Sequence, residues 1–162
     1  MQHKESDLQI RLFKWFRYYY PAYARLMEHP HNEGNGLDRR QQAIANAEGV
    51  TKGVSDIILH VPSFIMNEDS VIGIHYSLGI ELKTPTGTQS DDQKTWQRLF
   101  EAAGNRYELI RDYDSGVALI TKWMLNVPQH IDKAVKAEYA ALKYEENRRE
   151  VAKLKSLLKD DK

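Results

Sequence analysis

Residues 80–87 read Ile80-Glu81-Leu82-Lys83-Thr84-Pro85-Thr86-Gly87 and begin with the composition of a β-strand. Side chains alternate between the two faces of a strand, so Glu81 and Lys83 share one face. Asp56 lies in a second β-branched run, Gly53-Val54-Ser55-Asp56-Ile57-Ile58-Leu59. Two carboxylates and an amine on rigid backbone suit a hard divalent ion such as Mg²⁺ together with a phosphate. The pattern therefore indicates phosphodiester hydrolysis, although acid-x-Lys on a strand, taken alone, is usually a solvated sheet face.

The two runs are followed by a helix start, Ser90-Asp91-Asp92-Gln93. In this order the motifs resemble the VRR-NUC family of the PD-(D/E)xK nuclease superfamily, over about residues 1–125. That family shows a Gly-x-Pro-Asp strand, a Glu-x-Lys strand, a Gly and a Ser-x-x-Gln helix start. Ser55 stands where the family usually has Pro, at a position that ligates nothing. Residues 62–77, between the carboxylate strands, look like an inserted hairpin.

The resemblance implies an α/β fold with a PD-(D/E)xK (restriction-endonuclease-like) core, a central mixed sheet flanked by helices. It implies a bound Mg²⁺, for which Mn²⁺ can substitute, held by Asp56, Glu81 and the backbone carbonyl of Leu82. Lys83 is then expected to contact the attacking water and the phosphate, and Gln93 to orient Lys83 or that water. The implied activity is a DNA endonuclease of bacterial or phage cytoplasm, selective for four-way or otherwise branched DNA.

Two of the implied site residues also have ordinary structural explanations. Gln93 stands at the third position of its helix, where a glutamine completes a capping box with Ser90. Glu5 stands at the head of an apolar helical stripe, where the helix dipole favours an acid. By the resemblance, Glu5 instead points into the active site from the first helix and helps a second metal. The sequence leaves both pairs of explanations open.

Contacts with DNA phosphates are expected from exposed cations and one loop amide. A similar His-x-x-Asn-like stretch in the family suggests that Asn32 lies near DNA. The other expected DNA-binding residues are Arg39, Arg40, Lys52, Lys94 and Arg98. His29 and His31 lie in a loop without a partner at ligand spacing, so we interpret them as polar loop residues and predict no zinc site.

Composition limits the function classes. The 162 residues suffice for one domain with an appendage. With 23 basic and 23 acidic residues the net charge is zero, which argues against a general nucleic-acid coat protein and requires a local basic patch for DNA binding. The absence of cysteine excludes disulfides, thiolate zinc sites and a cysteine nucleophile. No signal peptide or membrane-spanning run is apparent, which favours a cytoplasmic protein.

Apolar spacing and turn residues predict the order of the elements. Helices are expected at residues 5–19, 37–48, 91–103 and 117–125, and strands at 54–61, 71–76, 78–84 and 107–110. The first helix presents Leu8, Leu12, Trp15, Phe16 and Tyr19 on one face, and the third presents Trp96, Leu99, Phe100 and Ala103. Residues 62–70 are predicted to be a turn-rich break. Trp123 is interpreted as a core residue rather than a platform for a base.

The composition shifts after Pro128 to a charged, alanine-rich helical pattern. We therefore expect a nuclease domain at 1–127 and a helical extension at 128–162. Ile131, Val135, Tyr139 and Leu142 give the extension an apolar stripe, which fits either a homodimer contact or packing on its own domain. Two other functions stay open: a restriction- or flap-type nuclease, and a non-catalytic DNA-binding or assembly protein.

Overall fold

The computed structural model describes residues 3–30 and 39–160. The helices are α1 (His3–Tyr19), α2 (Arg39–Ala47), α3 (Asp91–Ala102), α4 (Tyr113–Leu125) and α5 (Gln129–Asp160), with a 3-10 helix at Pro21–Leu26. The strands are β1 (Met27–Glu28), β2 (Ile57–Leu59), β3 (Ser63–Asn67), β4 (Ser70–His75), β5 (Leu78–Leu82) and β6 (Arg106–Ile110). The predicted α/β fold with a central mixed sheet, flanking helices and a C-terminal helix is confirmed.

The central sheet has four strands in the order β1-β2-β5-β6. Strand β2 pairs antiparallel with both β1 and β5, whereas β5 and β6 run parallel. All five residues of β5 are buried, as expected of a strand covered on both faces. The site residues on β5 therefore lie in the interior of the sheet and not at its edge.

The two faces of β5 pack against different helices. A Cβ placed on Gly116 of α4 would lie 2.9 Å from Leu12 of α1 and 3.5 Å from Ile110, so α1, α4 and β6 meet closely on one face. On the other face, a Cβ at Gly79 would lie 3.0 Å from the Phe100 ring and 3.4 Å from the Trp96 ring of α3. Glycine at both positions lets the helices approach the sheet.

Two apolar stripes are narrower than predicted. In α1, Leu8, Leu12 and Phe16 are buried, but Tyr19 is 62% exposed because it lies beyond the part of the helix that covers the core. In α3, Leu99 is 68% exposed and was wrongly assigned to the packed face. Trp96 and Phe100 stack on each other at 4.3 Å and cover the sheet, so the position between them turns outward.

Two strands are shorter than predicted, and one lies where a break was expected. The strand predicted at 54–61 is limited to Ile57–Leu59, and the one predicted at 78–84 ends at Leu82. The inserted hairpin is confirmed: β3 and β4 form a separate two-stranded sheet. Its first strand occupies residues predicted to be turn-rich. The 3-10 helix and β1 were not predicted.

The chain divides into two compact units, Met1–Val127 and Pro128–Lys162. The second unit contains α5, on which i,i+3 and i,i+4 ion pairs recur, for example Lys136 with Asp132 at 2.8 Å and Arg149 with Glu145 at 3.5 Å. Leu142 and Val151 of this helix are 44% and 49% exposed. Within residues 3–30 and 39–160, every helix is too short or too polar to cross a bilayer.

Candidate active site

Asp56 and Glu81 face each other across neighbouring strands. The register pairs Ile57 with Ile80, and continuing it by one residue places Asp56 opposite Glu81. Strand β2 itself begins only at Ile57, and the Asp56 carboxylate takes the place of the missing backbone acceptor: its Oδ2 accepts from the amide of Leu82 at 2.8 Å. The side chain thereby continues the sheet ladder, which fixes its position.

Glu81 is fully buried and accepts hydrogen bonds at both carboxylate oxygens. Its Oε1 lies 2.7 Å from the Nζ of Lys83 and also accepts from the Nε2 of Gln93. Its Oε2 accepts from the hydroxyl of Tyr107 at 3.3 Å. The predicted placement of Glu81 and Lys83 on one face is therefore observed, with the Lys83 side chain 13% exposed.

Both carboxylates hold protons more tightly than free carboxyl groups. Burial, followed by the negative charge of Asp56, raises the pKa of Glu81 to about 7, against the opposing effect of Lys83. Burial also raises the pKa of Asp56, which the Leu82 amide and Lys83 partly offset. The site thus contains more negative charge than the single ammonium of Lys83 balances, and it favours an added proton or cation.

Gln93 forms the predicted capping box and also contacts Glu81. Its side-chain Oε1 accepts from the backbone amide of Ser90 at 2.8 Å, and Ser90 Oγ accepts from the backbone amide of Gln93, which completes the capping box. The nitrogen of the Gln93 side-chain amide, Nε2, donates to Glu81. The helix cap therefore orients the donor that contacts the carboxylate.

Gly53 explains how the loop before Asp56 reaches the start of α3. Its φ is +78°, and a Cβ there would lie only 2.4 Å from the backbone carbon of Asp92 and 2.6 Å from the amide nitrogen of Gln93. No side chain fits in that space, and the left-handed backbone also favours glycine. The close approach brings Asp56 and Gln93 to the same end of the sheet.

Glu5 reaches the site from α1. Its Oε1 accepts from the amide of Thr84 at 2.8 Å, just after β5 ends. Its negative charge contributes to the raised pKa of Asp56. Glu5 also lies in the first turn of α1, so both of its predicted roles are compatible with the structure.

Three contacts at the site were missed in the sequence. His29, in the loop after β1, donates from Nδ1 to the backbone carbonyl of Asp56 at 2.7 Å, a contact that the sequence did not predict. Tyr107 is buried against Glu81, and its hydroxyl accepts from Gln89 Nε2 at 3.0 Å. These partners lie far apart in the chain, so the sequence carries no local signal of them and the fold alone reveals them.

The expected DNA-binding residues are less well defined. Lys52 and Arg40 are exposed. Lys94 pairs with Asp91 at 3.1 Å, and Arg98 donates to Thr95 at 3.3 Å. For Arg39 the structure describes the backbone only, and Asn32 and His31 lie outside the described residues.

As metal ligands, the site offers oxygen donors only. In the described part of the chain, no group of three or more His, Asp or Glu side chains is arranged to hold an ion. Glu5 is close enough to influence Asp56 electrostatically but does not complete such a group. A metal here would rest on Asp56, Glu81 and backbone or water oxygens, which are ligands suited to Mg²⁺.

Comparison with known proteins bears on this arrangement. Among solved structures, the chain is similar to one described as a VRR_NUC domain protein, with a TM-score of 0.60 and 15% sequence identity. The similarity covers 76% of this chain and 89% of that chain. The chain shares the VRR_NUC fold. No protein-family model and no curated protein sequence matches it.

Proposed function

We propose that the chain is a divalent-metal-dependent DNA endonuclease of the VRR-NUC type, which hydrolyses phosphodiester bonds. The observation that carries the proposal is that Asp56, just before β2, lies opposite Glu81 of β5, with the Lys83 ammonium 2.7 Å from Glu81. The shared VRR_NUC fold supports it, because the likeness spans most of both chains.

The donor set fits Mg²⁺ or Mn²⁺. Asp56 and Glu81 have raised pKa values, in the case of Glu81 partly because the other carboxylate repels its charge. A cation bound between them relieves this repulsion. Asp56, Glu81 and the carbonyl of Leu82 would hold the ion, with water completing its shell. When bound, such an ion polarises the phosphate and lowers the pKa of a bound water.

Lys83 and Gln93 would position the reacting groups. In the free protein the Lys83 ammonium donates to Glu81, and a phosphate entering the site offers it a second anionic partner. An ammonium fixed there stabilises the charge that develops on the phosphate during hydrolysis. Gln93 donates to the same Glu81 oxygen as Lys83, and Tyr107 donates to the other oxygen, so Glu81 would keep its orientation when Lys83 turns to a phosphate.

The substrate would be branched DNA, cut by a homodimer. Resolving a four-way junction requires two symmetric nicks, and a twofold dimer supplies two active sites related by the same twofold symmetry as the junction strands. The exposed Leu142, which continues the apolar stripe of Ile131, Val135 and Tyr139 on α5, supports a contact between copies.

A cleavage assay tests the proposal. Four-way, flapped, single-stranded and plain duplex DNA are incubated with the full chain in Mg²⁺ or in EDTA, alongside an Asp56→Asn variant. Asp69→Asn is a matched control, because Asp69 is an exposed acid at the tip of the β3–β4 hairpin. We expect Mg²⁺-dependent cleavage by the wild type and the control only. Cleavage of flaps alone would favour the flap-type nuclease, and DNA binding without cleavage would favour a non-catalytic role.

A further inference from the structure

Helix α1 carries a segregated positive charge. From Leu8 to Tyr19, α1 has three cations (Arg11, Lys14 and Arg17) and no acid, although the whole chain has a net charge of zero. This is the kind of local basic surface that nucleic-acid binding requires in a neutral protein. It lies on the helix that also delivers Glu5 to the site.

Aromatic rings are interleaved with these cations. One shallow surface depression, called the α1 patch below, is lined by Arg11, Lys14, Trp15, Tyr18, Tyr19 and Tyr113. Tyr18 and Tyr19 are 77% and 62% exposed. The guanidinium carbon of Arg11 lies 4.1 Å from the centre of the Tyr113 ring, and the ring centres of Trp15 and Tyr19 are 5.5 Å apart.

Packing of the core does not explain the α1 patch. The buried positions of α1 are Leu8, Leu12 and Phe16, whereas Tyr18 and Tyr19 turn to solvent. Aromatic faces next to cations suit an unpaired nucleic-acid strand, because bases stack on the rings while Lys and Arg neutralise the phosphates. Stacked bases inside a duplex cannot use such rings, so an unpaired segment fits better than a plain duplex.

We infer that the α1 patch binds a single-stranded segment of the nucleic-acid substrate. The inference rests on the proposed nuclease function and names its substrate class: DNA with an unpaired arm or tail beside the cleavage point. The patch begins six residues after Glu5 and ends fourteen residues after it, which is roughly 9 to 21 Å along the helix axis. A strand leaving the site therefore needs at least about three to six nucleotides to reach the patch at the stacked spacing of ~3.4 Å.

Fluorescence anisotropy in EDTA tests the inference without cleavage. Labelled oligothymidine and a duplex of equal length are titrated with the full chain and with a Tyr18→Ala/Tyr19→Ala variant. We expect the variant to bind oligothymidine about 10²-fold more weakly, since it loses two base-aromatic stacks that each account for about tenfold. Its duplex affinity should change less than about threefold. Tyr144→Ala is the matched control, because Tyr144 is 70% exposed on α5.

Two further variants separate stacking from other effects. Tyr18→Phe/Tyr19→Phe keeps the rings and should bind like the wild type. Lys14→Gln should make the dependence of log Kd on log salt for oligothymidine shallower by about 0.7. Unchanged oligothymidine binding by a folded double-alanine variant overturns the inference. If that variant binds oligothymidine normally but has a different particle mass by light scattering, the inference is also overturned, and the patch is a contact between copies.

The outcomes also separate this inference from the proposed function. Cleavage of DNA by the wild type, combined with normal oligothymidine binding by the double-alanine variant, rejects the patch and keeps the nuclease. Patch-dependent oligothymidine binding without cleavage of any DNA rejects the nuclease and keeps the patch.

Discussion

Gln93 donates through Nε2 to Glu81 while its own Oε1 accepts from the backbone amide of Ser90. One side chain therefore links the start of α3 to the buried carboxylate of β5. The cap needs only the oxygen, and the site needs only the nitrogen. A substitution can therefore keep the oxygen that the cap needs and remove the nitrogen that contacts Glu81.

Replacing Gln93 by Glu should keep the helix cap and damage the site. A glutamate still accepts from Ser90, but it places a second carboxylate where Glu81 now receives a hydrogen bond. We expect single-turnover cleavage at pH 7 to fall by about 10²-fold with little change in helix content by circular dichroism. Wild-type cleavage by the folded variant would reduce Gln93 to a cap.

Removing the charged groups of the site should abolish activity. Asp56→Asn, Glu81→Gln and Lys83→Met should each slow cleavage by about 10³-fold or more, because each removes a charge close to the reacting phosphate. The expected result for Asp69→Asn is wild-type cleavage, since that acid lies on an exposed turn. A wild-type rate in Lys83→Met would remove Lys83 from the mechanism.

The raised pKa of Glu81 predicts how stability depends on pH without metal. Its folded pKa is about 7, against 4.5 for the free side chain. Between these values the unfolded chain has lost a proton that the folded protein keeps, so the free energy of unfolding falls as pH rises through this window. The loss from Glu81 should be about 3 kcal/mol by urea denaturation in EDTA. In Glu81→Gln this fall in the free energy of unfolding should disappear, and an unchanged dependence on pH in that variant would contradict the assignment of the effect to Glu81.

Metal binding should have the opposite dependence on pH. A divalent ion competes with protons for Asp56 and Glu81, so Mg²⁺ should raise the melting temperature more at pH 8 than at pH 5. Asp56→Asn should lose most of that rise.

Ca²⁺ should support DNA binding with little cleavage, because its looser coordination activates water less well. Full cleavage in excess EDTA would exclude a metal mechanism.

Light scattering should find a dimer of the 18.8 kDa chain at micromolar concentration. If α5 forms the contact, Leu142→Glu should shift the mass toward the monomer, because it places a charge in an apolar interface. Lys143→Glu, on the neighbouring position, is a control that changes charge outside the apolar stripe. A monomeric wild type would remove the main support for a preference for four-way junctions.

The placement of two candidate site residues was more predictable than the bounds of the strands. Glu81 and Lys83 share a face as strand alternation predicts, since period-two geometry fixes which side chains lie together. Strand bounds were overestimated because β-branched runs continue into loops: Asp56 precedes β2, although its side chain continues the ladder. A two-residue strand such as β1 has no periodicity to detect.

Contacts between distant segments were the least predictable. Tyr107 meets Glu81 only because β6 lies parallel to β5, and a single sequence does not give that pairing. Leu99 fits the helical spacing of its neighbours, but the stacked pair of Trp96 and Phe100 already covers Gly79. The width of a packed face thus depends on partner side chains that a periodic pattern does not contain.

The β3–β4 hairpin gives the protein a site for molecular engineering. Its base is anchored to α4, where Ser63 Oγ donates to the carbonyl of Trp123 at 3.0 Å and the Phe64 amide to that of Asn126 at 2.9 Å. Its tip turns at Glu68, which has a φ of +50°, among exposed residues. Because β2 and β5 pair directly, the connection between them can be lengthened without shifting their register. A peptide tag or a small reporter domain can therefore be grafted at the tip while Asp56 stays opposite Glu81.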